Sequence, residues 1–245
     1  MPPRPARIAL RSAATVLLAA ALAVAAAVPG NAAQPAAPVK IGIIGAGHIG
    51  GTLARLWVES GHEVLLSSRH PEELKSLADS LGPKARIGTP REAAVFGEVV
   101  LVSVPYKALP QIGQDYRAEL AGKVVLDTGN PYPQRDGDMA EEARRVGTGV
   151  ASARYLPGVK LVRAFNAIAA ANLRQLGTRA GSRVAIPIAG DDAMALQVAS
   201  RLVNDAGFEP VVVGGLSEAR RFDVGTPVYV QLMNAAELRA ALGLH

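Results

Sequence analysis

The stretch Ile41-Gly42-Ile43-Ile44-Gly45-Ala46-Gly47-His48-Ile49-Gly50-Gly51-Thr52-Leu53-Ala54-Arg55-Leu56-Trp57 decides the fold. Lys40–Ile44 is a short β-branched run, and from His48 to Ser60 the apolar residues Ile49, Leu53, Leu56 and Trp57 recur at helical spacing. Between them lies Gly45-x-Gly47-x-x-Gly50, in the strand–turn–helix setting that gives this motif its meaning. Gly45 permits the tight turn, Gly47 lets the backbone approach a pyrophosphate, and Gly50 lets the helix pack on the strand, with Ala46 inside the same loop. The unpaired amides of the first helical turn then face the phosphates. A glycine-rich turn with no nucleotide is the competing reading. Agreement between strand, motif and helix favours the nucleotide.

Moving outward, Gly61 ends the helix and Val64–Ser67 reads as a second strand. A site for NAD carries Asp or Glu at the end of that strand, bonded to the ribose hydroxyls. Here the position reads Ser67-Ser68-Arg69-His70, with no acid. A carboxylate would repel a 2′-phosphate, whereas hydroxyls and a guanidinium bind one. The expected cofactor is therefore NADP(H), with Ser68 and Arg69 as its phosphate contacts and Ser67 among the cofactor-binding residues.

Strand and helix signals continue to alternate. A helix is expected over Pro71–Leu81, strands over Val99–Val104 and Val124–Asp127 with a helix from Lys107 to Leu120 between them, and a strand over Leu161–Phe165. Further on come a helix over Ile168–Leu176, a strand over Arg183–Ala189, a helix over Asp192–Ala206, a strand over Pro210–Val213 and a helix over Thr226–Leu242. This order implies an α/β fold of the Rossmann type, a doubly wound parallel sheet covered on both faces. Residues 39–165 form its six-strand core, and 166–245 a short αβαβα extension packing on the same sheet.

Ligands of such sheets sit beyond the carboxyl ends of the strands. Ser103, Val104 and Pro105, after the fourth strand, are thus expected beside the ribose and nicotinamide. Asn130 closes Asp127-Thr128-Gly129-Asn130-Pro131 after the fifth, where ordinary turn chemistry also suffices. Asn166 after the sixth either holds a carboxamide or substrate carbonyl, or caps the next helix. Ser217 and Arg220, after the last strand, are further substrate-side candidates, although surface exposure suits an arginine equally. The four histidines, 48, 62, 70 and 245, have no metal-ligand spacing, and no G-x-S-x-G elbow is present. Trp57 falls on the packed helix face and reads as core.

The 245 residues include no cysteine, which excludes disulfides, thiolate metal sites and a thiol nucleophile. The net charge of +5 invites a nucleic-acid or anionic-lipid reading. That reading weakens on inspection, because Arg4, Arg7 and Arg11 carry +3 of it within residues 1–33. The apolar run Ala13–Val28 follows them, then Pro29-Gly30 and the small residues Ala32 and Ala33. This is the layout of a signal peptide cleaved after Ala33, with 34–38 as linker, and not of a buried alanine-rich helix. It implies a periplasmic or secreted protein with no membrane span after processing, or a cytoplasmic one if the true start lies downstream. No basic stripe remains to bind nucleic acid.

At these residues the chain resembles the coenzyme F420-dependent NADP oxidoreductase family, whose module also occurs in the STEAP metalloreductases. The likeness rests on IGIIGAGHIGGTLA, GHEVLLSSRHPEEL, SVPYKAL, VVLDTGNP, LVRAFNAI and GGLSEARRFD, and spans nearly all of 40–242. The resemblance implies hydride transfer between NADP(H) and a deazaflavin (F420) or flavin (FMN or FAD) stacked on the nicotinamide. It adds His48 and Ile49 to the cofactor contacts, and leaves Asn166, Ser217 and Arg220 on the second-substrate side. It implies no catalytic acid or base and no metal. A small-molecule hydride acceptor is the expected partner, with a homodimer one expected assembly. Against it stands an exported, non-catalytic dinucleotide-binding module of the same fold.

Overall fold

In a computed structural model, which describes Met1 and residues 37–178 and 181–244, one sheet of eight strands organises the chain. The strands are β1 (Lys40–Ile44), β2 (Glu63–Ser67), β3 (Ala85–Ile87), β4 (Val99–Val102), β5 (Val124–Asp127), β6 (Lys160–Arg163), β7 (Ala185–Gly190) and β8 (Glu209–Gly214). Their order across the sheet is β3-β2-β1-β4-β5-β6-β7-β8. The first six give the doubly wound arrangement whose strand order reverses between β1 and β4. The signal-peptide and linker readings fall on residues 1–38, nearly all of which lie outside the described residues. No helix among the described residues is long and apolar enough to cross a membrane.

The inner strands β4 and β7 are buried along their whole length, as continuous apolar runs in a two-sided sheet must be. Helix α1 (His48–Glu59) covers one face, and Trp57 is fully buried there as expected, its indole nitrogen donating to Leu202 O at 2.8 Å. Phe165 stands edge-on between Trp57 and Phe208, with ring centroids 6.3 Å apart on either side. Tyr106, Leu109, Ala151 and Leu156 pack against the opposite face.

Four expectations need correcting. β7 runs antiparallel to β6, so the sheet is not parallel throughout. An alternation of strands and helices carries no direction, and β7 starts at the end where β6 finishes. The one helix in that connection, Ala170–Leu176, spans only about 10 Å and need not cross the sheet. β3 has three residues on a mostly exposed edge and no apolar signal of its own. β4 and β6 stop at Val102 and Arg163, because the residues after them leave the ladder to form the cleft. Finally, the helix expected over Thr226–Leu242 begins only at Ala235. Asn234 and Glu237 cap each other's backbone there, and Val230 N and Met233 O instead bond Ala167 O and Ala185 N.

Candidate functional site

Two cavities open at the carboxyl ends of β1, β2, β4, β5 and β6, one on each side of the glycine loop. The first, of about 560 Å³, is lined among others by His48, Ile49, Asn130, Tyr132, Arg135, Phe165, Asn166 and Tyr229. The second, of about 470 Å³, is lined by Ala46, Ser68, Arg69, Lys107 and their neighbours. Gly47, Ser103, Val104 and Pro105 line both. An elongated ligand lying over the glycine loop would therefore reach into each.

The loop's geometry explains its glycines. Gly45 has φ +99°, and a Cβ there would sit 2.3 Å from Ser103 O. A Cβ on Gly50 would come within 2.2 Å of Gly45 O, so this residue serves helix packing. Gly47 differs. Nothing lies within 4 Å of its missing Cβ, and that open space is where the cavities join. Gly47 is also the N-cap of α1, which has no side-chain cap and no acidic residue in its first turn. Its leading amides thus face the junction with positive polarity, as an anion requires.

The residues after β2 divide into two roles. Ser67 is fully buried, its hydroxyl donates to Ile43 O at 2.8 Å, and its carbonyl accepts from Gly45 N and Ala46 N. It shapes the loop and has no donor left for a phosphate. Ser68 and Arg69 line the second cavity, with Arg69 exposed and in no ion pair among the described residues. Ser68 Oγ accepts from His70 N at 2.9 Å, and its hydroxyl hydrogen remains available. Glu73 also borders this cavity.

The first cavity is built from side chains far apart in sequence. Asp127 and Arg163, both fully buried, form an ion pair at 2.5 Å between the ends of β5 and β6. Arg163 also donates to Gly129 O at 2.6 Å, and Asp127 accepts from Gly129 N at 2.8 Å. Burial disfavours the Arg163 charge, yet Asp127 and then Asp223 outweigh it and raise its pKa. The pair fixes the two loops that present Asn130 and Asn166. Asn130 Nδ2 donates to Asn166 O at 2.7 Å, and Asn166 Nδ2 to Phe222 O at 3.4 Å. Asn166 Oδ1 is buried without a partner, an acceptor beside the cavity that costs free energy while unpaired. Asn166 does not cap the following helix, whose N-cap is Ala169.

Tyr132 and Tyr229 share a hydrogen bond of 2.7 Å on the same wall. Burial, and then the bond from Tyr132, push the Tyr229 hydroxyl above its ordinary range, so it stays protonated. Two residues outside glycine have positive φ among those described, Phe165 at 60° and Val230 at 54°. Both line this cavity. Such strain persists where the surroundings over-determine it, which is characteristic of ligand sites.

The geometry thus gathers Gly47, His48, Ile49, Ser103, Val104, Pro105, Asn130 and Asn166 around one cavity, and Gly45, Ala46, Ser68 and Arg69 around the other. It does not bring Ser217 or Arg220 to either. Arg220 borders a separate depression of about 200 Å³ with Arg144 and Thr148. Both residues sit on the 3-10 helix Leu216–Phe222, and neither lines the two cavities. Tyr132, Arg135 and Tyr229 were missed in the sequence. The first two follow Asn130 in what reads as a plain turn, and Tyr229 lies in the stretch expected to be helical.

Fold and site together define a Rossmann-type dinucleotide-binding protein. Residues 40–131 match the model of the family described as NADP oxidoreductase, coenzyme F420-dependent. The chain resembles that family. It is 33% identical over 191 residues to the metalloreductase STEAP3 of Rattus norvegicus, covering 75% of this chain and 36% of that protein. The chain thus spans about a third of that relative's length. It is 29% identical to the F420-dependent NADP reductase of Methanothermobacter marburgensis, covering 83% of this chain and 96% of the other. Among solved structures, a hypothetical protein of Sinorhizobium meliloti superposes with a TM-score of 0.69 at 26% identity, over 81% of this chain and 96% of that one.

Proposed function

We propose that this protein is an NADP(H)-dependent oxidoreductase that exchanges hydride with a deazaflavin or flavin-like acceptor. The family match and the reductase relatives support the broader reading, an NADP-dependent oxidoreductase. The observation that carries it is the pair of cavities joined at Gly47 and Ser103–Pro105. One accommodates the adenosine end of the dinucleotide and the other its nicotinamide together with a second ring.

Bound NADPH supplies the hydride, and the chain supplies position and a dry, shaped site. The first-turn amides of α1 hold the pyrophosphate, with Gly47 leaving room for it. Ser68 and Arg69 hold the 2′-phosphate, replacing the carboxylate that would favour NAD. Asn166 Oδ1 accepts from an amide N–H, which matches a nicotinamide carboxamide and relieves its unpaired state. Val104, Pro105 and Phe165 line the cavity and would give the nicotinamide apolar surroundings. The proposed mechanism assigns no general acid or base. Transfer between two hydride carriers needs orientation more than proton transfer.

The order of residues 1–33 supports export, and we place the mature protein in the periplasm or outside the cell. A non-catalytic exported module is the second reading, favoured by that same segment. Mixing purified protein with NADPH and either F420 or FMN, and following oxidation of the nicotinamide, separates the two. Turnover with either acceptor supports the enzyme. Tight NADPH binding with no turnover on both favours the module.

A further inference from the structure

The stretch Tyr132-Pro133-Gln134-Arg135-Asp136 joins the two cavities in a way the hydride-transfer reading does not use. The side chain of Asp136 is fully buried. Its carboxylate accepts from Lys107 N at 3.1 Å, from Tyr132 N at 2.8 Å, and from Arg135 at 3.0 Å through Nε and 2.8 Å through Nη2. Burial alone would raise its pKa, but the Arg135 bonds and the two backbone amides outweigh this and hold it below the ordinary range. Lys107 belongs to the turn after Pro105, so Asp136 ties the wall of the second cavity to that of the first.

Arg135 is the part of this cluster that faces the ligand space. Its Nη2 also donates to Asn130 O at 2.6 Å, and its guanidinium lies 5.1 Å over the Tyr132 ring. Nε and Nη2 are thereby fully engaged. Nη1 has no partner among the described residues, on a side chain that lines the first cavity and is 40% exposed. Asp136 offsets the charge of Arg135. What remains is a fixed, directed N–H donor at the mouth of the cavity, not a diffuse cation.

We infer that Arg135 recognises the second substrate by donating from Nη1 to an oxygen of a planar acceptor, and that Asp136 is its positioning residue. The inference rests on the dinucleotide occupying the cavity junction, as proposed above. The oxygen is either a ring carbonyl or that of a phosphate or carboxylate borne by the ring's tail. Both offer the same lone pair to the guanidinium.

Calorimetric titration of FMN and of lumiflavin, which lacks the phosphate, into protein saturated with NADP⁺ tests this. Arg135→Ala is expected to weaken FMN about tenfold, the factor one charge-assisted hydrogen bond carries, and leave NADP⁺ affinity within about twofold. An equal loss for lumiflavin assigns the ring carbonyl, and a loss confined to FMN assigns the phosphate. Asp136→Asn is expected to weaken the flavin in the same direction without moving NADP⁺; a purely structural role would lower stability and spare that split. Should Arg135→Ala not fold, Arg135→Lys keeps the charge, lacks the fork and is expected to lose flavin affinity likewise. Unchanged flavin affinity in the variants, or a wild type that binds NADP⁺ but neither flavin, overturns the inference. A wild type that fails to bind NADP⁺ overturns instead the reading on which it rests.

Discussion

The two halves of the cleft are built on different principles. The half beside β2 is made of contiguous sequence, in which a strand, three glycines and a helix N-terminus present backbone amides, and two residues after β2 add a hydroxyl and a guanidinium. The half beside β5 and β6 is made of side chains up to about a hundred positions apart, such as Asn130 and Tyr229, held by a buried ion pair and a hydrogen-bond network. A site for an invariant ligand feature, a pyrophosphate, can be written in backbone. A site that discriminates among acceptors needs side chains, and therefore tertiary structure.

The sharpest way to break this comparison is to remove the scaffold of the side-chain half. Asp127→Ala leaves Arg163 buried without its ion-pair partner, which costs about 3–5 kcal/mol. Thermal denaturation should show a midpoint lower by about 10 °C. A shift of a degree or two would mean that the pair does not brace the two loops.

Gly47→Ala separates binding from stability in the backbone half. Its added methyl meets no protein atom, so the melting temperature should hold while NADPH affinity falls at least about tenfold. Gly45→Ala is the contrast, since its methyl strikes Ser103 O in a left-handed turn, and it should lose stability as well as binding. Equal behaviour of the two variants would contradict the assignment of the open space at Gly47 to the ligand.

A smaller effect is expected of Tyr229→Phe. It removes one hydroxyl from the wall proposed to meet the acceptor, together with its bond to Tyr132, a loss of about 1 kcal/mol. The KM for the acceptor should rise several-fold with that for NADPH unchanged, as steady-state kinetics varying each substrate in turn would show.

The same contrast explains what the sequence disclosed. The strand–loop–helix at Lys40–Glu59 was legible because its spacing is local and each glycine has a steric reason. The roles proposed for Ser68 and Arg69 rest on a missing acid at a fixed position, and both residues line the second cavity. Ser67 was misjudged because a buried hydroxyl bonded to Ile43 O looks, in sequence, like one facing solvent. The antiparallel turn of β7 was hidden because a hydrophobic pattern has no polarity along the sheet. Tyr229 was hidden because apolar residues from Val228 to Leu242 fit a helix until the cap at Asn234 is seen. The role of Asp127 and Arg163 was illegible for a different reason. Nothing in DTGN or VRAFN says that the two charges meet with their side chains wholly out of water.

The central claim is that the glycine loop and the residues after β2 form an NADP-selective site, and it is tested most directly by titrating the purified protein with NADPH and NADH side by side. The account expects NADPH to bind at least about tenfold more tightly, with Arg69→Ala reducing that preference toward equality. Equal affinity for the two nucleotides, or a preference that survives in Arg69→Ala, would contradict it.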